Sequence, residues 1–107
     1  MSYTLPLSFH RERTQPLSDL AYKHHANFYL TSDIPLQVNV SVMSSRGLTH
    51  FDCVELTKTP YKVPYERPGG ADWSVLQIQA IAPRSPRDEP YTINLINCLK
   101  SNAKDCD

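Results

Sequence analysis

Leu36, Val38, Val40 and Val42 alternate with Gln37, Asn39 and Ser41, and Met43 follows. Strict period-two alternation of β-branched and polar residues predicts an extended strand with one face turned to a core, because successive side chains point to opposite sides of a pleated chain. A helix would scatter the same valines around its circumference. This stretch is the strongest pattern in the chain, and the rest of the domain is expected to lie against it.

The same reading assigns further strands. Tyr3, Leu5, Leu7 and Phe9 alternate with Thr4, Pro6 and Ser8; Pro6 cannot donate to a ladder, so this strand belongs at a sheet edge. Phe28 and Leu30 face inward from a run over 27–30. If 31–35 is the whole turn, Leu30 pairs with Leu36 and Phe28 with Val38 in a hairpin. A strand over 51–58 carries Val54 and Leu56 on one face and Cys53 and Glu55 on the other. The run 61–66 contains Pro64 and reads as an edge strand or an extended loop. Leu76, Ile78 and Ala80 face inward from a strand over 73–81, with Ser74 in the same register at its mouth. Tyr91, Ile93 and Leu95 face inward from a last strand, 91–99, that closes the sheet.

Between these runs, 11–15 is a charged connection, and Ser18 with Leu20, Ala21 and His24 outlines a capped helical turn. Turns are expected at 44–48, at 67–72 and in the proline-rich stretch 83–90. About seven short strands, with turn signals recurring every ~8–12 residues, predict an all-β antiparallel β-sandwich. Pattern alone leaves an immunoglobulin-like and a jelly-roll topology open. One domain over 1–100 and a polar tail over 101–107 follow.

Composition narrows the function classes. The chain has 107 residues, with 11 Lys plus Arg against 11 Asp plus Glu, for a formal net charge of zero. A balanced chain has no electrostatic reason to seek nucleic acid or an anionic membrane, and no stretch approaches the ~20 consecutive apolar residues of a spanning helix. Nine prolines against three glycines suit stiff strand connections. Residues 1–6 lack the basic start and apolar core of a signal peptide. The expectation is therefore either a cytoplasmic chain or one domain of a larger protein.

No constellation reaches a catalytic signature. Nucleophilic catalysis needs a Ser or Cys beside a base and an orienting group. His50 and Cys53 supply two of these without a strained elbow. His50-x-x-Cys53 is half of a zinc site, and adjacent His24 and His25 would point to opposite strand faces. Neither enzyme activity, metal nor cofactor is expected.

The remaining features point to binding. Tyr61, Tyr65 and Trp73 bracket a loop that carries Arg67, and flat aromatics at a loop rim bring large contact area at little entropy cost. These four residues are the expected contact surface for a protein partner. A carbohydrate-binding module using Tyr61, Tyr65 and Trp73 is the alternative, and a small intracellular accessory or inhibitor protein, viral or bacterial, is a third. Asn39-Val40-Ser41 is an N-glycosylation sequon. Of the three cysteines, Cys98 and Cys106 are close enough in sequence to clip the tail to the last strand by a disulfide. Sequon and disulfide together favour a glycoprotein ectodomain, extracellular or at the cell surface, over the cytoplasm.

Overall fold

The structure is a computed structural model that describes residues 2–17, 26–64 and 73–99. Eight strands account for most of them: β1 (Ser2–Phe9), β2 (Glu12–Pro16), β3 (Ala26–Thr31), β4 (Leu36–Ser44), β5 (Gly47–Leu56), β6 (Tyr61–Val63), β7 (Ser74–Ala80) and β8 (Tyr91–Leu99). They form two four-stranded antiparallel sheets, ordered β1-β8-β3-β6 and β2-β7-β4-β5.

The pairing has a simple logic. The first strand pairs with the eighth, the second with the seventh, the third with the sixth and the fourth with the fifth. The chain is one long antiparallel ribbon whose tip is the β4–β5 hairpin. Wrapping that ribbon brings β3 beside β8 and β4 beside β7. This is a jelly roll, and the immunoglobulin-like alternative falls away.

The β-sandwich forms because most of its strands carry one apolar face. Leu7, Phe28, Leu30, Ile93 and Leu95 of the first sheet and Val38, Val40, Val42, Leu76 and Ile78 of the second are almost wholly withdrawn from water. Val40 lies opposite Ile78 on one side and Asp52 on the other, so β4 is a central strand, as its alternation requires. Pro6 lies on β1, which has β8 as its neighbour and is an edge of its sheet.

Four expectations are corrected. Leu30 does not pair with Leu36, nor Phe28 with Val38. β3 and β4 lie in opposite sheets and meet across the core, with Leu30 opposite Leu95 and Tyr61 instead. Alternation fixes which face is buried but not which strand is the neighbour. A four-residue connection, 32–35, can cross the ~10 Å between packed sheets, and here the Ser32 N–H anchors it by donating to the Thr57 carbonyl at 2.8 Å. The charged connection expected at 11–15 falls largely within strand β2 (Glu12–Pro16), an edge strand whose side chains are never fully buried, so it carries no apolar alternation to reveal it. β5 begins at Gly47 rather than at 51, and ends at Leu56. β8 does not close its sheet but runs between β1 and β3. The capped turn at 18–24 and the loop 67–72 lie outside the described residues, as does the tail 101–107.

The β4–β5 hairpin turns through Ser45 and Arg46 into Gly47, whose φ of +108° is a backbone conformation that side chains disfavour. A bulge follows. Val42 pairs with His50 and Met43 with Leu48, which leaves Thr49 as the extra residue. Its Oγ1 donates to the Val42 carbonyl at 3.1 Å.

Ile78→Ala is expected to lower unfolding free energy by about 2–5 kcal/mol, the usual cost of truncating a buried aliphatic side chain. Gln77→Ala, one residue away on the outer face, should stay within ~0.5 kcal/mol. Urea denaturation of the two variants checks this, and equal effects would contradict the assigned faces.

Candidate functional site

Two clusters of side chains stand out, and the hairpin shapes both. The first lies on the inner side of β5. Residues directly opposite each other on neighbouring strands share a face. His50 and Asp52, opposite Val42 and Val40, therefore turn toward the space between the sheets, and so does Tyr61, opposite Leu30. The Tyr61 hydroxyl donates to Asp52 Oδ2 at 3.2 Å. Because the phenol proton is directed there, the 2.8 Å bond between His50 Nε2 and the Tyr61 oxygen is one in which the imidazole N–H donates. The chain His50→Tyr61→Asp52 thus links an edge strand of one sheet to an edge strand of the other.

Burial pushes the Tyr61 phenol up to about 12, and the neighbouring Asp52 carboxylate adds to this through its charge and its hydrogen bond. A phenol held neutral in this way is neither a base nor a nucleophile near neutral pH. The cluster acts as a polar clasp across the open side of the sandwich.

The second cluster covers part of the outer face of the β2-β7-β4-β5 sheet. Leu48, Met43, Val75 and Pro16 lie side by side in one row across β5, β4, β7 and β2. The next row holds Phe51, Ser41, Gln77 and Thr14, and the third Cys53, Asn39, Gln79 and Glu12. Trp73 immediately precedes β7, two residues before Val75, a spacing that in an extended chain puts both side chains on one side. Leu48 is 60% exposed, Phe51 59%, Trp73 45% and Met43 37%. The bulge is what puts Leu48 here. Without the extra Thr49, an even-numbered residue of β5 would face the core with His50 and Asp52. Four large apolar side chains on one end of one sheet face form a patch of the kind that marks interaction sites.

Two concave regions lie elsewhere on the described surface. A polar groove of about 900 Å³ lies at the corner where the chain passes from β1 to β2, lined by His10, Arg11, Arg13, Asn39 and Gln79 among others. A smaller pocket of about 250 Å³ lies beside the 83–90 loop. There the Arg84 guanidinium stacks over the Tyr91 ring at 4.2 Å and donates to the Glu89 carbonyl at 3.0 Å. Among the described residues, no group of three or more His, Cys, Asp or Glu side chains could hold a metal ion. No helix among them is long and apolar enough to cross a membrane.

Of the residues singled out from the sequence, the described ones do not come together. Trp73 is exposed on the outer face of one sheet, while Tyr61 is half-buried and packs inward from the other. Tyr65 and Arg67 lie outside the described residues. Asn39 is a half-buried residue in the middle of the central strand β4, between Cys53 and Gln79. Cys98 lies in β8, and Cys106 is outside the described residues. Cys53 is an exposed free thiol. Sequence reasoning passed over Met43, Leu48 and Phe51. A signal for Phe51 was present, since it shares a face with Cys53 and Glu55; for Leu48 there was none, because only the bulge turns it outward.

Comparison with protein-family profiles, with curated proteins and with solved structures finds no match for this chain.

Tyr61 holds its proton more tightly in the folded chain than in the unfolded one. Its contribution to stability is complete below pH 10 and is lost as the pH climbs toward about 12. The phenolate absorbance of wild type minus that of Tyr61→Phe should show a component titrating near 12. A component near 10 would contradict the clasp.

Proposed function

We propose that this β-sandwich is a non-catalytic binding module that docks a protein partner on the outer face of its β2-β7-β4-β5 sheet. The observation that carries the reading is the contiguous exposure of Met43, Leu48, Phe51 and Trp73 at one end of that face. Protein interfaces combine an apolar centre rich in aromatics and Met with a polar rim. Here Ser41, Gln77, Asn39 and Gln79 border the apolar row in that manner.

A glycan is less well served by the same surface. Sugar recognition needs hydrogen-bonding groups converging beside a flat ring, and the row of Leu48, Met43 and Val75 beside Trp73 offers no polar side chain. Tyr61, the second aromatic of the carbohydrate reading, is engaged with His50 and Asp52. Catalysis has no support from the clasp, whose phenol is held neutral. An ectodomain setting, glycosylation at Asn39 and a Cys98–Cys106 link remain parts of the proposal that rest on the sequence alone.

Affinity capture with immobilised wild-type protein, with the retained partner then purified and titrated, tests the reading. Trp73→Ala with Met43→Ser should weaken binding by about thirty-fold or more, the effect of losing an interface hot spot of ~2 kcal/mol. Unfolding free energy should barely move. Undiminished binding by the double variant would contradict the site, and a Trp73 fluorescence shift on titration with oligosaccharides would favour the glycan.

A further inference from the structure

Among the described residues, the two sheets have four edges: β1 and β6 in one, β2 and β5 in the other. An edge strand exposes unpaired N–H and C=O groups, and proteins blunt such edges with proline, with cationic side chains or by keeping them short. β1 carries Pro6 at its middle. β2 is five residues long, contains Glu12 and Arg13, and ends at Pro16. β6 is three residues long, contains Lys62, and lies between Pro60 and Pro64. β5 differs. It is ten residues long and contains no Pro, Lys or Arg, and its bulge at Thr49 lies at the hairpin end, outside the run from His50 to Leu56.

The direction of its backbone groups can be deduced. The Ile81 N–H donates to the Gln37 carbonyl at 3.2 Å, so the odd-numbered residues of β4 direct their backbone groups to β7 and the even-numbered ones to β5. Val38, Val40 and Val42 stand opposite Val54, Asp52 and His50. Those three residues of β5 therefore bond to β4, while Phe51, Cys53 and Glu55 direct their N–H and C=O groups away from the sheet. The Thr57 carbonyl, next in the same parity, points the same way and is taken by Ser32.

We infer that β5 pairs antiparallel with β5 of a second copy of this chain, about a two-fold axis at Phe51, and joins two four-stranded sheets into one of eight. In that register the outward groups of Phe51 meet their own counterparts. His50 stands opposite Asp52 of the second copy, twice, and the two Phe51 side chains lie together on the outer face. An axis at Asp52 would set two carboxylates against each other. An axis at Cys53 would set Phe51 against Glu55 and Asp52 against Val54. Charge and apolar contact thus both select the register at Phe51. Two copies of zero net charge also meet without overall repulsion. The contact is isologous and closes on itself. It goes beyond the docking of a protein partner, since it uses the backbone of β5 and leaves Trp73, Met43 and Val75 uncovered.

Sedimentation equilibrium in reducing buffer, where the Cys53 thiol cannot link copies, tests the pairing together with hydrogen exchange. A 12.2 kDa chain should give a concentration-dependent species of twice that mass. Amide exchange at Phe51 and Cys53 should slow as concentration rises, while His50, Asp52 and Val54 stay protected throughout. Cys53→Pro removes one outward N–H and leaves the ladder to β4 intact, so it should weaken the dimer at least tenfold; Trp73→Ala should not. A monomer at every concentration would overturn the inference. So would concentration-independent exchange at Phe51 and Cys53, or a dimer that survives Cys53→Pro and dissolves with Trp73→Ala.

Discussion

The whole structure depends on one requirement: the two apolar sheet faces must be closed against each other and kept from water. Each fully buried Leu, Ile, Val or Phe contributes about 1.5–3 kcal/mol relative to exposure, so the ten inward residues named above outweigh any single polar contact. β4 stands at the centre of this. It is paired on both sides, and all its inward aliphatics are buried. The open sides of the sandwich are then closed by polar means. On one side the Tyr61 clasp ties β6 to β5. On the other, the chain itself turns the corner at His10 and Arg11, where the Arg84 N–H donates to the His10 carbonyl and Arg13 donates to the Ser8 carbonyl.

This division explains what could be read from the residues alone. Burial leaves a period-two trace, so the inward faces of β4 and β7 and the edge position of Pro6 were legible. Neighbour choice leaves no such trace. Leu30 and Leu36 each look inward, and nothing in their alternation says that the short turn between them changes sheets. β2 was invisible because an exposed edge strand with Glu12, Arg13, Thr14 and Gln15 has no apolar face to advertise. Tyr61 was legible as an edge residue but not as a clasp, since its partners His50 and Asp52 lie on a strand of the opposite sheet. Leu48 required knowledge of the bulge at Thr49.

The jelly roll by itself implies no activity, because one scaffold hosts many functions and function resides in the site placed on it. What distinguishes this chain is the contrast between its surfaces. Among the described residues, prolines lie in or beside three sheet edges, while the hairpin β4–β5 carries the longest edge, which has none, and half of the large exposed apolar residues. The same bulge that relieves the ladder after Val42 aims Leu48 outward, so a local feature of backbone pairing reaches the chemistry of the surface.

Cross-strand nuclear Overhauser contacts in the labelled protein test the wrapped ribbon most directly. Contacts are expected from Val40 to both Asp52 and Ile78, and from Leu30 to both Leu95 and Tyr61. Backbone contacts between Leu30 and Leu36, the signature of a simple hairpin in one sheet, would contradict it.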